Sequence, residues 1–314
     1  MLTIAYATDN GYAQHVAVSL YSLFKSDDNA CSFKVFILDN GLFDYHRKKL
    51  LEIAYQFGRT LEFIDIGDIE SKLPTGIDTA NLSISTYCRL FVAQLLPSDI
   101  DLLLYLDCDT YINADISDII EFIPTTAEWY VAGVEDTMYP WMKEGIGLSR
   151  SELYLNAGVL LINLKKWREE NVLDYFTAFI KKHNGAVPHL DQGVINGVFK
   201  HGKLKLPLKY NVQAPIFAIH RWENIIIFFS LSNFYDAETV NNAREQPTII
   251  HYTSFFLERP WFKFCLHPLK HLYRDTLKQT PYSQSKLMDN KIGIVNILKD
   301  IFFKYFQPIY LKLR

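Results

Sequence analysis

Two carboxylates, Asp107 and Asp109, stand directly after a five-residue apolar run, Leu102–Leu106. Such a run reads as a buried strand, and a backbone turn at its end lets both carboxylates aim at one point. Hard divalent cations take oxygen ligands, and Mg²⁺ or Mn²⁺ usually keeps places for phosphate oxygens. A cation held there would offset charge building on a departing phosphate-type leaving group. Taken alone the triplet is common by chance, and a solvated turn with Asp115 as a nearby helix cap is then the better explanation.

The elements around the triplet supply the context. Leu2–Ala7 is a buried-strand run closed by the turn signal Asp9-Asn10-Gly11. Val16, Leu20, Leu23 and Phe24 follow at helical spacing; Phe33–Leu38 is strand-like, Tyr45–Phe57 is an amphipathic helix and Thr60–Ile66 a third strand. This β-α-β-α-β order predicts a mainly parallel sheet covered by helices, with ligands bound beyond the carboxyl ends of the strands. A helix is predicted over Ser83–Leu96, another near Asp115, and strands over Trp129–Val134 and Gly158–Leu164. Helices follow at Asn171–His183 and Asp191–Phe199, then a short strand, Thr248–Ile250, ahead of His251.

Composition excludes several classes. A formal charge of −3 gives a nucleic-acid partner no general electrostatic support. Hydrophobic residues at 49% and charged residues at 21% describe an ordinary globular chain. The cysteines at 31, 88, 108 and 265 form no CxxC pair and read as buried free thiols of a reducing compartment. The N-terminus lacks a signal-peptide pattern, no run of apolar residues reaches spanning length, and Asn81-Leu82-Ser83 is a glycosylation triplet without meaning in a cytoplasmic chain.

Six segments in order carry a resemblance. They are Ala5-Tyr6-Ala7-Thr8-Asp9-Asn10-Gly11-Tyr12, Ser85-Thr86-Tyr87-Cys88-Arg89-Leu90, Leu104-Tyr105-Leu106-Asp107-Cys108-Asp109, Tyr154–Leu164, Leu190-Asp191-Gln192 with Asn196, and His251-Tyr252 with Arg259-Pro260-Trp261. Together, over residues 2–262, they resemble the retaining glycosyltransferases of family 8, which include bacterial lipopolysaccharide galactosyl- and glucosyltransferases. The resemblance implies an α/β fold of GT-A (Rossmann-like) type, a mainly parallel sheet flanked by helices. It also implies a catalytic nucleotide-sugar domain over residues 1–262 and a small helical C-terminal extension over 263–314.

It implies roles too. Asp107, Asp109 and His251 would hold Mn²⁺ or Mg²⁺, and two carboxylates with one imidazole suit Mn²⁺ at least as well. Ala7, Thr8, Asp9, Asn10 and Tyr12 would meet the uridine, with Cys108 between the metal carboxylates. Arg89 and Arg259 would face the sugar–diphosphate, since guanidinium forks onto oxygen pairs. Asn156, Asp191 and Gln192 would line the donor-sugar pocket. Gln192, a neutral amide, is a poor nucleophile, so the expected mechanism is front-side displacement by the acceptor. Either Glu135 or Asp136 marks the acceptor edge. The implied reaction is metal-dependent transfer of a hexose, galactose favoured over glucose, from a UDP-sugar to a glycan on lipid, wall polymer or surface protein. Three departures stand out: Gly193 replaces an aspartate, Ser254 a glycine and Arg259 a lysine, in a closing loop two residues longer than the common form.

Two rival classes were weighed. A non-catalytic nucleotide-sugar binder would have no need of the full metal and sugar-pocket set. A nucleotidyltransferase would carry a glycine-rich basic phosphate loop near its start, whereas no Lys or Arg occurs before Lys25. Near the C-terminus, Ile294, Ile297, Leu298, Ile301, Phe302 and Tyr305 form a helical stripe ending before Pro308, and residues 291–314 carry five bases and one acid. The stripe either packs as a helical add-on, the reading slightly preferred, or makes residues 283–314 a peripheral contact with an anionic membrane. The expected location is the cytoplasm, at the inner face of the membrane; the residues do not fix an oligomeric state.

Overall fold

The computed structural model of the chain describes residues 2–27, 33–67, 69, 73, 84–126, 128–290 and 293–302. Cys31, the Asn81-Leu82-Ser83 triplet and Tyr305 lie outside them. Ten strands are described: β1 Leu2–Thr8, β2 Phe33–Asp39, β3 Leu61–Asp65, β4 Leu102–Leu106, β5 Thr110–Ile112, β6 Val131–Glu135, β7 Leu155–Asn163, β8 Lys203–Lys205, β9 Val212–Gln213 and β10 Ile249–His251. Seven form one sheet in the order β3-β2-β1-β4-β7-β6-β8, and β5-β10-β9 form a second, smaller one.

The continuous apolar runs are explained by burial on both faces. In β1, Ile4 and Tyr6 enter one apolar cluster and Ala5 and Ala7 the other, as the period of two requires. The helix Ala13–Ser26 covers the first face, together with Tyr273, Leu277 and Tyr282 from the C-terminal part of the chain. Trp167, Phe176 and Phe199 fill the second.

The large sheet is mainly parallel, as the β-α-β order predicts: β1 pairs in parallel with β2 and β4, β2 with β3, and β6 with β8. β7 differs, running antiparallel to both β4 and β6. The chain leaves β1 toward β2 on one side, while β4 lies on the other. The carboxyl ends of β1 and β4 therefore flank a switch point, where such sheets open a crevice.

The helix expected over Ser83–Leu96 is mostly a 3₁₀ segment, Ile84–Phe91, with a single α turn at Val92–Leu95. A 3₁₀ turn eclipses positions three apart, and it puts Thr86 and Arg89 together against the crevice. The helix expected near Asp115 is likewise a 3₁₀ turn, Ser117–Phe122; Asp115 Oδ1 accepts from the Ser117 backbone N–H at 2.9 Å.

Candidate active site

Strand register assembles the site. Leu106 pairs with Val159, and the Asp107 N–H donates to the Gly158 carbonyl at 2.8 Å, so the start of β7 lies beside the end of β4. His251 pairs with Thr110 across β10 and β5, which brings the imidazole back over Asp109. One potential ligand atom from each of Asp107, Asp109 and His251 falls within 4.8 Å of the others. Gly158 makes the space. A Cβ there would lie 2.1 Å from His251 Cε1 and 2.9 Å from Asp107 Oδ2.

The donor set fits a hard divalent cation. His251 Nδ1 lies 3.0 Å from Asn211 Oδ1, and the buried Asn211 amide donates its Nδ2 hydrogen to Asn156 Oδ1 at 2.9 Å. With its amide hydrogens committed there, Asn211 turns oxygen to the ring. Nδ1 then carries the hydrogen and Nε2 is presented toward the carboxylates. Nε2 stands 3.1 Å from Asp109 Oδ1 and 3.9 Å from Asp107 Oδ2. Burial pulls the His251 pKa down, but Asp109 and Asp107 outweigh it and the net shift is upward. Burial pushes Asp109 up, while His251 and Arg259 more than offset this and hold it at about 2. Asp107 is raised, burial outweighing the opposing pull of Arg89. Cys108 between them is no ligand: burial drives its thiol well above the ordinary value, and Sγ–H donates to the Ala7 carbonyl at 3.1 Å. This bond ties the metal triplet to the end of β1.

Two adjoining clefts share this cluster. The smaller, about 190 Å³, is lined by Ala7, Thr8, Asp9, Tyr12, Thr86, Arg89, Tyr105, Asp107, Cys108, Asp109 and Arg259. Asp9 Oδ1 accepts the Gly11 and Tyr12 backbone N–H groups and so shapes the turn into the helix Ala13–Ser26. Asn10 does not line either cleft. Its Nδ2 donates to the Gly41 carbonyl at 2.9 Å and its Oδ1 accepts the Phe43 N–H at 2.8 Å, so the amide fastens a neighbouring loop.

The larger cleft, about 670 Å³, takes Asp107, Asp109, His251, Asn156, Asp191, Gln192 and Asp136 on its polar side. Met138, Tyr139, Trp141, Met142, Phe229 and Phe255 form an apolar side. Its volume is that of a small-molecule site, roughly 300–1,000 Å³. Asn156 Nδ2 and Gln192 Nε2 both donate to Asp136 Oδ2, at 3.0 and 2.8 Å. The structure thus separates Asp136 from Glu135. Glu135 is buried away from the cleft, 2.6 Å from Lys205 and 3.9 Å from Lys143.

Arg89 binds the parts together. Nη2 donates to Asp107 Oδ1 at 2.8 Å, Nη1 donates to the Ala157 carbonyl, and Nε forms an ion pair with Asp191 Oδ2 at 2.6 Å. The guanidinium lies 4.7 Å from the Tyr105 ring centroid. Burial works against its charge, but the two carboxylates raise its pKa. Asp191 is pushed up to about 6 by burial and by Asp107, against the pull of Arg89. Arg259 Nη2 is 3.4 Å from Asp109 Oδ2, and its Nη1 donates to Tyr12 Oη at 3.5 Å. It borders both clefts.

Sequence reasoning missed Asn211, which follows a 3₁₀ turn and belongs to no periodic run. It also missed His189 and the steric role of Gly158. The latter is an approach between distant segments that carries no local signal.

Comparison with known proteins agrees with the architecture. The model for the family described as "Glycosyl transferase family 8" matches residues 3–265. The chain is 27% identical over 297 residues to the lipopolysaccharide 1,2-glucosyltransferase of Escherichia coli strain K12, spanning 92% of this chain and 81% of that one. It is also 27% identical over 293 residues to the lipopolysaccharide 1,3-galactosyltransferase of Salmonella typhimurium, spanning 91% and 80%. A galactosyltransferase crystallised with donor and acceptor sugar analogues superposes with a TM-score of 0.73 at 23% identity, over 89% of this chain and 96% of that one. That likeness establishes the GT-A fold.

Proposed function

The chain belongs to glycosyltransferase family 8 and is a glycosyltransferase, and from that premise we propose that it transfers a hexose from a UDP-sugar to a glycan acceptor, with retention and with a divalent cation. The observation that carries this reading is the convergence of Asp107, Asp109 and His251 where a cleft at the end of β1 meets a wider, half-polar cleft. Uridine would lie against Ala7, Thr8, Asp9, Asn10 and Tyr12, and the sugar against Asn156, Asp191 and Gln192. Mn²⁺ or Mg²⁺ bound by the three ligands supplies charge neutralisation at the diphosphate.

The chain's own residues do the rest. Arg259 borders both clefts and offers a cation to the diphosphate. Gln192 is a neutral amide, so the acceptor oxygen itself forms the new bond to the anomeric carbon. It attacks the face from which the C–O bond to the diphosphate breaks. The bonding electrons leave with UDP, and the acceptor hydroxyl proton passes to the departing phosphate oxygen. Trapping a covalent glycosyl adduct on Asp191 would overturn this route. The apolar wall of Tyr139, Trp141 and Phe255 offers flat faces to an acceptor sugar.

Galactose is favoured slightly over glucose from the look of the bacterial relatives, and no residue of the site decides between them. The two lipopolysaccharide relatives match equally well and divide between the two sugars. Incubation with a panel of UDP-sugars, with Mn²⁺ and with a chelator, tests the proposal: metal-dependent UDP release from UDP-galactose is expected. No release from any UDP-sugar would leave a nucleotide-sugar binder. Pyrophosphate release from a nucleoside triphosphate would make it a nucleotidyltransferase. We place the acceptor at the cytoplasmic membrane face, with 283–314 as a peripheral contact. Arg259→Ala is expected to lower turnover several-fold or more, with unchanged donor kinetics counting against the diphosphate role.

A further inference from the structure

The helix Leu190–Val198 is entered through two consecutive non-glycine residues with positive φ, His189 at 64° and Leu190 at 54°. This backbone conformation is held by close packing beneath it. At Gly193 a Cβ would lie 1.9 Å from the Pro188 carbonyl oxygen and 3.1 Å from Val187 Cγ1. Only glycine lets the loop settle on the first turn of the helix, at the position where the sequence departs from its family by lacking an aspartate. The consequence is the placement of His189. Its side chain borders the larger cleft, with Nδ1 2.8 Å from Gln192 Nε2 and 3.2 Å from Tyr154 Oη.

The hydrogen-bond chemistry fixes the orientation of the Gln192 amide in this group. Gln192 Oε1 accepts the Ala157 backbone N–H at 2.9 Å, and a backbone N–H can only donate. The amide oxygen therefore faces β7, and Nε2 faces Asp136 Oδ2 and His189 Nδ1. The carboxylate takes one amide hydrogen and the imidazole the other. His189 Nδ1 is then the acceptor of that hydrogen.

We propose that His189 is a positioning residue for Gln192, fixing the plane of its amide at the third of three points and so setting the surface that faces the donor sugar's reacting carbon. The proposal rests on the UDP-sugar transferase reading for what Gln192 faces. It assigns to His189 and Gly193 together a function that the motif resemblance does not: glycine at 193 lets the loop that carries His189 settle against the cleft.

The test exploits geometry. Asparagine tolerates positive φ, and its Oδ1 occupies the place of histidine Nδ1, so His189→Asn keeps the acceptor. Glycine relieves the backbone at φ 64° but removes the acceptor, so His189→Gly keeps the loop and loses the contact. Turnover, KM for the UDP-sugar and UDP release without acceptor are measured for wild type and both variants, with thermal midpoints as a folding control. His189→Gly is expected to lower kcat by about tenfold to a hundredfold, the scale of a misplaced reacting group. Its KM should change by less than about twofold and its midpoint should not fall. His189→Asn should keep most of kcat. Gly193→Ala, which displaces Pro188, should cost little more when added to His189→Gly, because both act through one contact. Full kcat in a folded His189→Gly overturns the proposal, as does equal loss in both His189 variants. An inactive wild type on every UDP-sugar would instead sink the transferase reading.

Discussion

At the scale of single residues, the convergence of Asp107, Asp109 and His251 depends on an atom that is absent. A methyl group at 158 would collide with His251 Cε1 at 2.1 Å and crowd Asp107 Oδ2 at 2.9 Å. Gly158→Ala should therefore weaken Mn²⁺ binding by about tenfold to a hundredfold, the scale seen when ligand orientation is lost. Titration followed by electron paramagnetic resonance reads this, and wild-type affinity would remove the steric argument. Asp191 offers a second test. Its carboxyl is raised from 3.8 to about 6, chiefly by burial. Below that pH it is protonated, and a hydroxyl-binding carboxylate is lost. Turnover should fall below pH about 6, and Asp191→Asn should lower turnover and flatten the limb. Stability runs the other way: a raised carboxyl pKa favours the folded state as pH falls from about 6 toward 3.8. An acid limb without unfolding is therefore expected, and a limb that persists in Asp191→Asn would assign it elsewhere. The clustering of Asp107, Asp109 and His251 and the cleft-lining place of Asn156 and Gln192 were legible because ordered motifs carry them. Asn211, His189 and the steric role of Gly158 were not, because their importance lies in approach between segments far apart in sequence.

At the scale of elements, strands buried on both faces were readable, and of the short ones only β10 was, one residue out of register. β1, β2 and β4 are five to seven residues long, five of them apolar in each, and no helix or turn pattern competes with such runs. β5, β8 and β9 have only two or three residues. Such pieces become strands through their partners, and no period of two can show. The direction of β7 was equally hidden, since pairing sense is not written in composition. Yet it is this antiparallel pairing that sets Asn156 and Gly158 beside Asp107. One element also depends on a single distant side chain. The loop leading to β4 has no regular structure, and Arg168 donates to the carbonyls of Ala93, Leu96, Pro97, Ser98 and Ile100. Arg168→Met would strip these carbonyls of a charged partner. Stability should drop by about 2–4 kcal/mol, given about 1.5–3 kcal/mol for a hydrogen bond to a charged group. Lysine should rescue little, having no planar fork. Urea unfolding measures the loss, and a change under about 0.5 kcal/mol would show that water replaces the guanidinium.

At the scale of the whole molecule, the C-terminal part divides into two kinds of surface. Residues up to about 290 join the body: Tyr273 Oη lies 2.7 Å from the buried His15, and Tyr282 Oη 2.6 Å from His46. His15 in turn stacks on Trp261 at 3.8 Å between centroids, which ties this packing to the loop bearing Arg259. The helix Gly293–Ile301 behaves differently. Its Asn296 donates to Glu258 Oε1 and Lys299 lies 5.6 Å from the Phe256 ring centroid, while Val295, Leu298, Ile301 and Phe302 are exposed. Of the stripe read from the sequence, Leu298, Ile301 and Phe302 are exposed and Ile297 is half-buried. Residues 291–314 add five bases to one acid. An exposed apolar stripe beside a net positive segment is suited to an anionic bilayer, where each basic residue contributes about 1 kcal/mol near the surface. Wild-type protein should therefore sediment with phosphatidylglycerol vesicles and not with phosphatidylcholine vesicles. Binding should weaken as salt rises, because surface charge is screened within about 10 Å at 0.1 M. Leu298→Ser, Ile301→Ser and Phe302→Ser combined should reduce binding at least as much as raising the salt. Asn296 and its bond to Glu258 stay untouched, so the helix keeps its anchor to the body. UDP release from the free donor should be unchanged in the triple variant, since no altered residue lines either cleft. Vesicle binding equal to wild type in that variant would show that the stripe is not the contact.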